Sequence, residues 1–167
     1  MAKQEFTDAI MLLKNDHREV ETLFEKFKAT RDKAKKQQIA HQICTNLKVH
    51  TIIEEELFYP KFRGKIEDHT LDEAYVEHDG AKVLINDIEA SMPGDDLQEA
   101  KIAVLSEEIR HHVHEEEMPK QGMFAQCRQT DVDLVALRDE LLARKQELLA
   151  EAQAGELPPA KPRAVKL

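Results

Sequence analysis

The chain has 167 residues, enough for one domain with a sizeable core, and its five Gly, six Pro, absence of Trp and 34% charged residues describe a helical protein and exclude a sheet protein. With 24 basic against 33 acidic residues the formal net charge is −9, which argues against a general affinity for nucleic acid or for an anionic membrane. No apolar run approaches the roughly 20 residues of a membrane span, and the first ten residues lack the charged-then-apolar order of a secretory signal. A cytoplasmic protein is therefore expected, with Cys44 and Cys127 as free thiols.

The first predicted helix starts at a Thr7 cap and runs to about Ala29, because Ile10, Leu13, Val20, Phe24 and Phe27 recur at three- and four-residue steps. His17 fills the one missing position of that stripe. After the basic stretch TRDKAKKQQ, a second helix carries Ile39, Ile43, Leu47, His50, Glu54 and Leu57 and is expected to stop near Pro60. A third, from Asp68 to Ser91, has Leu71, Ala74, Ala81, Ile85 and Ile88 on one face, completed by His78. The break MPGDD offers Asp95 or Asp96 as cap to a fourth helix, whose stripe of Ile102, Leu105 and Ile109 continues to His112 and Glu116. KQGM after Pro119 reads as a loop. Thr130 to Asp133 has the form of a capping box for a fifth helix with Leu134, Leu137, Leu141 and Leu148, and from Gly155 on the proline-rich GELPPAKPRAVKL reads as a disordered tail.

Overlaying the stripes exposes an internal repeat. DHREVETLFEKF matches EHDGAKVLINDI, and HTIIEEE matches HVHEEEM, with 33 residues from His17 to His50 and 34 from His78 to His112. Two such helical hairpins pack into an all-α, up-down-up-down four-helix bundle with an additional C-terminal helix and a short disordered tail. The expected division is 1–128 for the bundle, 129–153 for the extra helix on or beside it, and 154–167 for the tail.

His50 and Glu54, four residues apart, share one helical face, as do His112 and Glu116. A lone histidine on an apolar face is ordinarily a hydrogen-bonded core residue. Four such insertions on four consecutive helices, two followed by Glu one turn later, point instead to a metal site, because buried carboxylates need a partner. Four imidazoles and two carboxylates suit iron, manganese or zinc better than calcium or magnesium, and two metals can each take two histidines and share both glutamates. His111 with Glu115 has the same spacing as His112 with Glu116. The stripe decides for the latter, since Ile109, Leu105 and Ile102 precede His112 as Leu47, Ile43 and Ala40 precede His50.

These residues resemble the hemerythrin-like family, specifically its HHE cation-binding domains, over about Asp16 to Phe124. The pattern is carried by His17, by His50 with Glu54 before LFYP, by His78, and by His112 with Glu116 before MPKQGMF. The resemblance implies two iron ions in an oxo- or hydroxo-bridged di-iron centre. It also implies a departure from the family's oxygen carriers, which place a further histidine one turn from the third-helix ligand. Ala74 and Lys82 stand there instead, leaving a coordination position open or filled by water or a neighbour such as Tyr75. The expected function is that of a non-haem di-iron protein that binds, senses or reacts with a small diatomic or peroxide ligand (O2, NO or peroxide), with no nucleic-acid or membrane partner. A peroxide-consuming or other di-iron redox enzyme, and an iron-responsive interaction module, are the alternatives. A ferritin-like bundle is disfavoured, as only Glu108 with His111 has the Glu-x-x-His spacing.

Overall fold

The computed structural model describes residues 5–91 and 95–166, all helix, turn or irregular chain, with no strand among them. Four long helices, α1 (Ala9–Ala29), α2 (Lys33–Ile53), α4 (Asp68–Ala90) and α5 (Gln98–Glu117), form the bundle. A short α3 (Tyr59–Phe62) extends α2, α6 (Met123–Cys127) follows α5, and α7 (Leu134–Gln153) completes the set. Helix α1 packs on α2, α4 on α5, and the contacts of α2 with α4 and of α1 with α5 close the ring, while α7 lies across α1 and α2. No helix among the described residues is long and apolar enough to cross a membrane.

Local chemistry sets the helix ends, in places differently from expectation. The cap of α1 is Asp8 rather than Thr7: its carboxylate accepts the Met11 N–H, and a carboxylate at that position also complements the helix dipole. Asp32 caps α2 in the same way, so most of the basic stretch is already helix. Asp133 caps α7, accepting from Val135 and Ala136, while Thr130 bonds the carbonyl of Cys127. Asp95 accepts from the Leu97 N–H at the start of α5, and Met92, Pro93 and Gly94 lie outside the described residues. The residues after Pro119 are not only loop, because α6 forms there. Pro60 does not stop the second helix. The backbone widens into a π-helical turn over Glu54–Phe58, and Pro60 falls in the first turn of α3, where its missing N–H costs nothing.

The apolar side chains form two separate cores. One holds Leu13, Ile53, Phe58, Phe62, Leu71, Phe124 and the α7 residues Leu137, Leu141 and Leu148. The other holds Val20, Phe24, Leu47, Ile85, Leu105 and Ile109. Along α1 the crossing from one to the other falls between Leu13 and Val20, where His17 sits, and along α2 between Leu47 and Ile53, where His50 sits. The stripe histidines thus occupy a polar layer between two apolar ones. Cys44 and Cys127 are buried free thiols, and Cys44 Sγ donates to the Ile85 carbonyl. The segment after Gly155, expected as a disordered tail, lies along α4: Asn86 and Ala160 exchange two hydrogen bonds of 2.8 Å, and Asp79 accepts the N–H groups of Arg163, Ala164 and Val165.

Candidate metal centre

All six sequence-selected residues converge. His17, His50, His78, His112, Glu54 and Glu116 are buried, Glu54 completely, and their inward atoms meet in one layer. Nε2 of His17 lies 3.1 Å from Nε2 of His50, and Nε2 of His78 lies 3.1 Å from Nε2 of His112, so the imidazoles form two pairs. Each glutamate spans the pairs. Glu54 places Oε1 3.2 Å from His50 and Oε2 3.3 Å from His78, while Glu116 places Oε2 3.3 Å from His17 and Oε1 3.5 Å from His112. His111 is 65% exposed and faces Glu77 and Glu115, and Glu115 is itself partly exposed.

Each imidazole has a carboxylate on its outer nitrogen, a layer that sequence reasoning did not single out. Nδ1 of His17 faces Glu117 at 2.6 Å, His50 faces Asp16 at 3.4 Å, His78 faces Glu55 at 2.9 Å, and His112 faces Glu77 at 2.6 Å. The pattern follows the repeat. The acid before each lone histidine backs the second histidine of its own hairpin, and the acid after each inward glutamate backs the lone histidine of the other hairpin. The repeated acid before His17 and His78 was the available signal. Such a carboxylate fixes the tautomer, aiming the Nε2 lone pair inward, and raises the basicity of the ring as a ligand.

Neighbouring acids serve both layers in each hairpin, Glu54 with Glu55 inside the π-helical turn and Glu116 with Glu117 at the end of the regular helix α5. Residues one apart in an α-helix point about 100° apart, yet Glu54 and Glu55 are both buried, one in the cluster and one behind His78. The π-helical turn brings Tyr59 inward. Its hydroxyl donates to Glu54 at 3.1 Å or Glu116 at 2.9 Å and lies 3.2 Å from Nε2 of His78. Tyr75, the residue expected beside an open position, instead points its hydroxyl at the backbone oxygen of Glu55, and the tyrosine that reaches the cluster is Tyr59. Lys82, one turn after His78, is buried and paired with Glu55 and Asp79.

The donor set passes a simple test for a cation. Oε1 of Glu54 and Oε2 of Glu116 are buried and accept no hydrogen bond, and an orphaned buried carboxylate oxygen costs several kcal/mol, roughly, unless something charged meets it. Charge is drawn to this layer. Burial opposes the charged form of His50, but the Glu54 charge and the Asp16 contact outweigh it and hold the pKa at about 10; His78, similarly opposed by burial, is held at about 9 by Glu54 and Glu55. Burial works against the Glu54 carboxylate too, and the adjacent His50 and His78 keep it well below the usual range. Burial and the two nearby carboxylates push the Tyr59 phenol well above its ordinary value, so it stays a proton donor.

Residues 8–124 match the family described as the hemerythrin HHE cation binding domain. The chain belongs to that family. Among solved structures, a hemerythrin HHE cation binding domain-containing protein of Mycobacterium kansasii superposes with a TM-score of 0.72 at 17% identity, covering 90% of this chain and 95% of that one, a likeness of fold. Among characterised proteins, this HHE chain is 29% identical over 106 residues, 64% of its length, to a DNA nickase of Nostoc sp. (strain PCC 7120). It spans only 30% of that protein. This HHE-domain protein therefore combines the family's domain with a buried His/Glu cluster that could hold a metal ion.

A cavity of about 230 Å³ opens onto the four histidines. Its remaining wall is largely aliphatic, from Val20, Leu47, Val49, Ile109, Val113 and Leu149, with Asp16, Glu19 and Lys145 as its charged members. That is room for a small molecule beside the imidazoles.

Proposed function

We propose that this HHE-domain protein holds two iron ions between its histidine pairs and binds, senses or reacts with a small oxidant such as O2, NO or peroxide. The observation that carries this reading is the spanning position of Glu54 and Glu116: each carboxylate gives one oxygen to each histidine pair, and each keeps an oxygen that no protein donor satisfies. His17 and His50 would hold one ion, His78 and His112 the other, and the glutamates would bridge, their charges offsetting part of the metal charge. A mixed imidazole and carboxylate set also suits zinc and manganese, and the family resemblance favours iron.

When bound, the metal pair supplies Lewis acidity and one-electron redox chemistry toward a small ligand. The protein's own groups do the rest. The carboxylates on Nδ1 orient the four rings, the aliphatic cavity admits a small ligand and limits water, and Tyr59 holds a phenolic O–H whose oxygen lies 2.9 Å from Oε1 of Glu116. In the six-residue set no fifth histidine completes the coordination, which suits a centre that reacts with its ligand rather than only carrying it. The acidic balance of −9 offers no footing for the nicking activity named for the Nostoc relative, which concerns a protein of which this chain spans less than a third.

Metal analysis with an absorption spectrum of the purified protein tests the reading. About two irons per chain with charge-transfer bands that change on adding O2, NO or peroxide is the expected outcome, and stoichiometric change against sustained turnover separates sensor from enzyme. One zinc per chain, or no metal after iron reconstitution, overturns it.

A further inference from the structure

The segment beyond the family domain reaches the back of two of the four histidines. On α7, Lys145 Nζ lies 2.5 Å from Oδ1 of Asp16, whose Oδ2 faces Nδ1 of His50. In the final residues, Arg163 Nε lies 3.0 Å from Oε2 of Glu55, whose Oε1 faces Nδ1 of His78. Arg163 is not loosely placed. Its own N–H and those of Ala164 and Val165 converge on the buried Asp79 carboxylate, which also accepts from Lys82, while Lys48 donates to the Pro158 carbonyl. The first-hairpin carboxylates that back His50 and His78 are thus braced by the C-terminal segment. Among the described residues, Glu77 and Glu117, which back His112 and His17, meet His111 and Arg18 of the bundle itself.

We propose that the C-terminal segment is a working part of the metal centre, with Lys145 and Arg163 as positioning residues that hold Asp16 and Glu55 against His50 and His78. The proposal rests on the metal reading above. Asp16 and Glu55 are 8% and 3% exposed, and a carboxylate that far from water keeps its aim only while a cation accompanies it. Without the cation it turns toward solvent and stops fixing the ring behind the metal. Loss of such outer support costs roughly 10- to 100-fold in metal affinity. Glu55 keeps Lys82 when Arg163 is lost, so Lys145 is the more consequential of the two.

The full-length, iron-loaded protein tests this through the rate of iron loss to excess chelator, read from its visible spectrum. Lys145→Met should release iron about 10-fold faster, Arg163→Met should accelerate release by a smaller factor, and Lys145→Arg should restore the wild-type rate. Arg144→Met is the control: Arg144 also projects from α7 and pairs with Glu56 and Glu147, neither of which backs an imidazole. Release from Lys145→Met and Arg163→Met at the wild-type rate overturns the proposal. So does equal acceleration by Arg144→Met, since α7 then acts by packing alone. A wild-type chain that takes up no iron overturns both this proposal and the metal reading, and that result is visible before any variant is made.

Discussion

Glu77 Oε2 stands 2.6 Å from Nδ1 of His112, on the ring edge turned away from the cluster, although the two residues belong to different helices. Burial works against the Glu77 carboxylate, but the contact with His112 keeps its pKa below the ordinary value, so it remains a charged acceptor. Glu77→Ala should therefore lower iron affinity by roughly 10-fold or more while leaving helix content intact. Competition titration against a calibrated chelator measures it, and an unchanged affinity would show that the outer carboxylate does not support the ring.

The fourth bundle helix offers a sharper contrast between adjacent residues. Glu116 is 1% exposed with one orphaned oxygen, whereas Glu115 is partly exposed and faces His111. Glu116→Ala should cut iron occupancy and alter the spectrum, and Glu115→Ala should do little; the same contrast should hold for His112→Ala against His111→Ala. Should the Glu115 and His111 variants be the ones to lose metal, the inward register of α5 is not the binding register.

Removing metal should loosen the bundle. Binding to the folded chain alone stabilises by about 4 kcal/mol at a thousandfold excess over Kd, and a chain of this size shifts by about 2–4 °C per kcal/mol. Chelation is thus expected to lower Tm by roughly 10 °C, with the orphaned oxygens of Glu54 and Glu116 left unmet. Identical melting curves after confirmed metal removal would contradict a stabilising role for the ion.

Gly122 is required where α5 gives way to α6. A Cβ there would stand 2.5 Å from the Met118 carbonyl oxygen and 2.8 Å from that of Glu116, both backbone atoms that cannot swing aside. Gly122→Ala should cost about 2 kcal/mol through overpacking and disturb the helix end that presents Glu116 and Glu117. Gly80, in α4 with nothing within 4 Å, gives the opposite expectation: Gly80→Ala should stabilise by about 0.5–1 kcal/mol. Denaturant melts of both variants check the pair, and a neutral Gly122→Ala would show that the backbone there yields.

Helical periodicity alone picked out the residues that converge. A polar side chain on an apolar stripe points inward wherever the helix goes, because position around the axis is fixed by local geometry. Hence His17, His50, His78, His112, Glu54 and Glu116 were legible one stripe at a time, and the repeat related the two hairpins. Tertiary structure decided what periodicity has no access to: that His17 meets His50 and His78 meets His112, that Asp16, Glu55, Glu77 and Glu117 each back a ring, and that Tyr59 rather than Tyr75 joins the cluster. Those choices depend on how neighbouring helices are rotated against each other, and for Tyr59 on one π-helical turn that breaks the period from which an inward face is read. The docked C-terminal residues were hidden for a related reason. Their order comes from Asp79, Asn86 and Glu55 on the bundle, and not from any pattern of their own.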